Sequence, residues 1–157
     1  MNRTLLTAAA CILSACAATP GPGAANPAEM KMAFDITEAN PQALLARLEV
    51  IDLTRKQLIE RGATPRMVLA FRGGASQYTQ TNLSVVKEAD RAEALKVAHK
   101  LRELKQAPGI ERLEQCNVSL APRKLKPSDL MPEVALVPNG WITLTTYQQQ
   151  GYAYIVP

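Results

Sequence analysis

The sequence predicts an α/β domain: a parallel sheet with helices packed on both of its faces. Two observations carry this. Short, continuously apolar runs recur through residues 30–157, and between them lie stretches with helical spacing and helix-start chemistry. Strands buried on both faces read as uninterrupted apolar runs, and strands alternating with helices imply a parallel sheet joined by right-handed crossovers.

The first 29 residues stand outside that domain. Arg3 gives a positive start, and residues 5–15 (LLTAAACILSA) form an apolar run of 11. A spanning helix needs about 20 such residues, whereas a run of this length suits a signal peptide over residues 1–15. It ends Leu13-Ser14-Ala15-Cys16, which resembles the lipobox of bacterial lipoproteins. That resemblance implies cleavage before Cys16, a diacylglycerol on its thiol, and a membrane-tethered protein facing the periplasm or the cell exterior. Ordinary signal cleavage nearby, for instance after Ala18, is the alternative. Ala17 rather than Asp after the cysteine resembles an outer-membrane address in a Gram-negative cell. Residues 17–29 (AATPGPGAANPAE) hold three prolines, two glycines and no large apolar side chain. They read as a flexible tether, so that 16–29 is the lipidated cysteine and its linker.

The domain proper begins with residues 30–36 (MKMAFDI), an alternating strand. Asn40-Pro41 then supplies an N-cap and an N1 proline. Leu44, Leu45, Leu48, Ile51, Leu58 and Ile59 lie near one helical face, and Gly62 stops the helix. Residues 67–71 (MVLAF) are a buried strand, ended by Arg72-Gly73-Gly74. Residues 75–88 are polar and poorly periodic and read as a long loop. A second helix is expected over 90–106, with Leu95, Ala98, Leu101 and Leu104 inward and Pro108-Gly109 beyond its end. Residues 110–116 are a third strand, and Pro127-Ser128-Asp129 offers start chemistry for a short helix. Residues 134–137 (VALV) are a fourth strand and residues 153–156 a fifth. Between these two, residues 140–150 are ambiguous. Ile142, Thr143, Thr145 and Thr146 favour strand, while Trp141, Leu144, Tyr147 and Gly151 are spaced for a helix. The two flanking strands decide for helix.

Composition narrows the function. The net charge of +4 is modest, and no basic block interleaves with aromatics, so nucleic acid is not an expected partner. Of three cysteines, Cys11 leaves with the signal and Cys16 is taken by lipid. Cys116 is then a single thiol with no internal disulfide partner, in a compartment that permits disulfides. No Cys, His and acid cluster has metal-ligand spacing, so no metal is expected.

The C-terminal third resembles a known family. Cys116-Asn117, then residues 125–132 (LKPSDLMP), residues 134–138 (VALVP) and the closing residues 151–157 (GYAYIVP) look like the DsrE/DsrF-like sulfur-relay family. The element order from Met30 onward also fits. The resemblance implies a flavodoxin-like sheet of five parallel strands in the order 2-1-3-4-5, homo-oligomers (trimers or hexamers), and a sulfur-carrying cysteine ending the third strand. That position here is Cys116. A protein that donates or accepts sulfur is the implied partner, and the chain reads as a carrier more than a turnover enzyme.

The residues themselves give Cys116 a favourable place. Ligands of open α/β sheets gather beyond the carboxyl ends of the strands. Arg123, Lys124 and Lys126 follow closely, and nearby cations expose a thiolate. Cys116 is therefore expected to be solvent-accessible with a lowered pKa. The competing reading is a small buried hydrophobe in a non-catalytic module that binds a small ligand or a partner protein. Arg72-Gly73-Gly74, on the same rim, offers backbone donors and a guanidinium for a small anion, with a plain turn as the alternative. It is no nucleotide loop. The first loop (Thr37-Glu38-Ala39-Asn40) lacks the hydroxyl run a flavin phosphate calls for, so no flavin or other cofactor is expected. His99 lies mid-helix and reads as a surface or partly buried residue rather than a base.

Overall fold

The computed structural model describes residues 28–157; the stretch read as a signal peptide (residues 1–15), Cys16 and all but the end of the stretch read as a tether lie outside the described residues. The elements run β1 (Glu29–Ile36), α1 (Pro41–Glu60), β2 (Thr64–Phe71), α2 (Arg91–Gln106), β3 (Ile110–Cys116), β4 (Ala135–Val137), α3 (Gly140–Gln149) and β5 (Ala153–Ile155). Every strand pairing is parallel. β1 starts at Glu29, one residue inside the stretch read as tether.

Local chemistry places the helices. Asn40 caps α1, its side chain accepting from the Ala43 N–H at 2.8 Å, with Pro41 in the first turn. Gly62 follows the helix with φ of +76°, the left-handed conformation that ends helices. Asn139 caps α3 in the same way, accepting from the Trp141 N–H at 3.0 Å. That cap helps residues 140–149 fold as helix despite their β-branched content. Residues 75–88 are not featureless: they carry short 3-10 turns, and Tyr78 from the first is fully buried. The helix expected near Ser128 is likewise one 3-10 turn, Pro127–Asp129.

Side chains alternate across a strand, and the alternation separates two cores. Met32, Phe34 and Ile36 of β1 and Met67, Leu69 and Phe71 of β2 pack under α1 and α2 with Leu44, Leu48, Leu101 and Leu104. Their neighbours Ala33, Val68 and Ala70 face α3, where Leu144 and Tyr152 close a much smaller cluster. The helical stripes are shifted slightly from the sequence reading. Ala94 and Val97 face inward while Leu95 is exposed, and on α1 Ile59 is exposed while Asp52 and Arg55 are buried.

The five parallel strands lie in the order β4-β3-β2-β1-β5. The order 2-1-3-4-5 would set β1 between β2 and β3; here β1 lies between β2 and β5. The reason is the placement of α2 beside α1 on one face. Lys100 of α2 donates to Asp52 of α1 at 2.9 Å, and Arg55 of α1 reaches the Pro108 carbonyl at 3.1 Å. Two right-handed crossovers on the same face must step in the same direction, so β3 falls beyond β2. The connection after β3 keeps to that face, burying Met131 and Val134 there. Only α3 crosses to the other face, and it carries the chain back to β5 beside β1.

Candidate functional site

The connection after β3 leaves toward one face and the connection after β4 toward the other. This reversal makes a crevice beyond the carboxyl ends of two adjacent strands, where open α/β sheets bind ligands. Cys116, the last residue of β3, stands in it.

The Cys116 side chain is on the α3 face of the sheet, and its Sγ accepts from the backbone N–H of Gly140 at 3.1 Å. Gly140 is the first residue of α3, where backbone N–H groups have no partner within the helix. The approach needs glycine. A Cβ at position 140 would come within 3.1 Å of the Cys116 Cβ and 3.4 Å of its Sγ. Burial pushes the Cys116 thiol up. The Gly140 N–H, the Ser119 hydroxyl and the backbone N–H groups of Ser119 and Val118 outweigh it and hold the thiol below its usual value. Donors aimed at sulfur, together with the positive end of a helix, stabilise the thiolate.

A small cavity of about 140 Å³ adjoins the sulfur, lined by Arg72, Cys116, Val118, Ser119, Asn139 and Trp141. Arg72 is fixed from behind. Its Nε donates to Asp35 Oδ1 at 2.6 Å and its Nη2 donates to Asp35 Oδ2. Asp35 is itself only 1% exposed. Tyr154 donates to the same carboxylate at 2.6 Å, so one buried acid ties the ends of β1, β2 and β5 together. The Arg72 guanidinium also lies 5.6 Å from the centre of the Trp141 ring, within cation–π range.

The structure redistributes the roles expected from sequence. Cys116 ends β3 on the carboxyl rim as expected, but it is 5% exposed rather than open to solvent. Arg123, Lys124 and Lys126 do not line its cavity. Residues 121–123 turn in a 3-10 helix, Lys124 takes a left-handed φ of 56°, and Leu125 rather than a cation turns inward. Backbone donors do the work assigned to those three side chains. Arg72-Gly73-Gly74 does not make an open anion nest. The Gly73 N–H donates to the Ser119 hydroxyl at 3.1 Å, and Arg72 is engaged by Asp35. Gly74 is glycine for space, since a Cβ there would meet Ala39 at 2.4 Å. His99 is a surface residue 3.3 Å from Glu103. Sequence reading missed Asp35, Ser119, Asn139, Gly140 and Trp141. The one legible signal was Asn139-Gly140 just beyond the fourth strand, a capping residue followed by a side chain small enough to approach another chain segment.

Comparison with known proteins follows the same outline. The model of the DsrE/DsrF-like family matches residues 31–157. An uncharacterised protein of Aquifex aeolicus (strain VF5) is 27% identical over 126 residues, covering 80% of this chain and 55% of that protein. The chain thus spans about half the length of this relative. A solved structure of a protein of unknown function from Methanobacterium thermoautotrophicum superposes with a TM-score of 0.62 at 18% identity, covering 82% of this chain and 99% of that one. At that identity the likeness is one of fold.

Proposed function

The chain belongs to the DsrE/DsrF-like family, and from that premise we propose that it is a sulfur carrier whose carrying atom is Cys116 Sγ. The observation that supports this most is the Gly140 N–H donated to that sulfur at the start of α3, beside a cavity of about 140 Å³. A water-sized occupant takes about 30 Å³ of liquid volume, so a second sulfur atom has room. In the proposed step the Cys116 thiolate attacks the outer sulfur of a donor persulfide, R–S–SH. The new S–S bond forms as the donor's S–S bond breaks. The donor leaves as R–S⁻, takes the proton of the outer sulfur and departs as R–SH, while Cys116 holds S–S⁻. No net oxidation occurs, and the reverse reaction on an acceptor thiol hands the sulfur on.

The burial of Cys116 favours a second reading, a binding or assembly module in which the thiol is packing. Native-state alkylation separates the two. A carrier thiol reacts with iodoacetamide in the folded protein, whereas a packing thiol reacts only on unfolding.

The placement of the carrier is part of the proposal. Residues 13–16 (LSAC) after an apolar core support lipidation at Cys16, tethering the domain to a membrane from outside the cytoplasm. Cys16→Ser should abolish the lipid and move the protein out of the membrane fraction. Unchanged fractionation and migration would reject the anchor. A homo-oligomer, trimer or hexamer, and a protein that donates or accepts sulfur complete the reading. Light scattering that gives a monomer at micromolar concentration would remove the oligomer from it.

A further inference from the structure

A second and larger cleft, of about 540 Å³, lies between α3 and strands β2 and β3. That is within the range of small-molecule sites, about 300–1,000 Å³. Its floor is charged. Glu114, on β3 two residues before Cys116, has a side chain only 2% exposed. Its Oε1 accepts from Arg112 Nε at 2.7 Å and from the Tyr147 hydroxyl at 2.9 Å. Its Oε2 is buried and has no hydrogen-bond partner among the described residues. Burial raises the Glu114 carboxyl above the usual carboxylate range. A buried carboxylate oxygen without a donor is costly, and the cost is removed by a ligand that brings one.

The surroundings narrow the class of ligand. Arg112, already in contact with Glu114, is half exposed. Its Nε goes to Glu114, and it lines the cleft, so its outer nitrogens are the donors it can offer an anion. Arg66, by contrast, is held by Glu111 and Glu29, and Tyr152 donates to Glu111. One carboxylate and one guanidinium in direct contact therefore stand ready together. The ammonium and carboxylate of an α-amino acid sit on one carbon and match that spacing. Val137 and Ile142 add an apolar wall.

We propose that this cleft binds a small α-amino-acid-like zwitterion, its ammonium on Glu114 and its carboxylate on Arg112, at a site separate from the Cys116 cavity. The site does not rest on sulfur transfer, and its failure leaves the carrier reading untouched. The test is isothermal titration of the full chain with L-valine, with isobutylamine, which is valine without the carboxylate, and with isovalerate, which is valine without the ammonium. Valine should bind saturably, and each half-probe should bind about tenfold more weakly or worse, which is 1.4 kcal/mol or more per lost group. Arg112→Gln and Glu114→Gln should each weaken valine to the same extent, while Cys116→Ala leaves it unchanged. Because Arg112 is half exposed, R112Q tests the site even if E114Q perturbs folding. No saturable valine binding at millimolar concentration, or R112Q binding valine as the wild type does, overturns the proposal.

Discussion

If the Gly140 N–H is what holds Cys116 reactive, removing that one hydrogen should be enough to quench it. Replacing the Asn139–Gly140 amide by an ester removes the N–H without adding an atom, which matters where a Cβ would already crowd Cys116 at 3.1 Å. The helix loses no ladder bond, since the first N–H groups of a helix have no partner in it. The donor acts on a charged acceptor inside a site where Cys116 is 5% exposed, and such hydrogen bonds contribute about 1.5–3 kcal/mol. At a pH below the midpoint, that lowers the thiolate population about tenfold to a hundredfold. Thiolate absorbance in the ultraviolet, followed across pH, reads this directly. The control is an ester at the Gly140–Trp141 linkage, which removes the cap bond to Asn139 at 3.0 Å and leaves the sulfur's donor in place. The first ester should move the titration to higher pH, and the second should leave it nearly in place. Coincident titrations of wild type and both esters would refute the reasoning.

Two further outcomes follow from the buried charges. Burial pushes the Asp52 carboxyl up, but Lys100, Lys56 and Arg55 together hold it well below its usual 3.8. Its contribution is therefore present above that value and is lost as pH falls through the lowered one. Asp52→Asn should cost up to about 3 kcal/mol at neutral pH, the low end for breaking a buried pair, and its urea midpoint should converge with the wild type in acid. A constant difference down to the lowest pH at which the protein folds would contradict this. Glu114 has the opposite sign: burial raises it above 4.5, so the folded state holds its proton more tightly than the unfolded chain. Wild-type stability should fall relative to Glu114→Gln as pH rises through the raised value, and the two should run parallel below 4.5. A gap in urea midpoint that stays flat over that range would show that Glu114 is not desolvated.

Much of the fold was legible because local chemistry and tertiary packing agree in it. Asn40-Pro41 opens α1 and Gly62 ends it where the residues say. The apolar run at 67–71 becomes the central strand β2, extended backward to Thr64. Residues 140–149 became helix although their propensity leans to strand, because a helix is what carries the chain between two parallel strands, here from one edge of the sheet to the other. Strand order was not legible, since it depends on which face α2 takes. That choice is made by contacts such as Lys100 with Asp52, between residues 48 apart in the chain. The site was legible to the level of one residue. Cys116 was found from its place at a strand end. Its supporting donors were not, because backbone N–H groups have no signature in sequence, and the visible cations at 123, 124 and 126 pointed elsewhere. The long loop hid Tyr78, whose hydroxyl donates to the Ala39 carbonyl.

The central claim is that Cys116 carries sulfur, and the most direct measurement is the intact mass of the folded full chain after incubation with a persulfide donor. The account predicts one added sulfur atom per chain, mapped by peptide analysis to Cys116, removed by a thiol reductant and absent from Cys116→Ala. A native protein that gains no sulfur, with a thiol that reacts only after unfolding, would contradict it and leave Cys116 as part of the packing beneath α3.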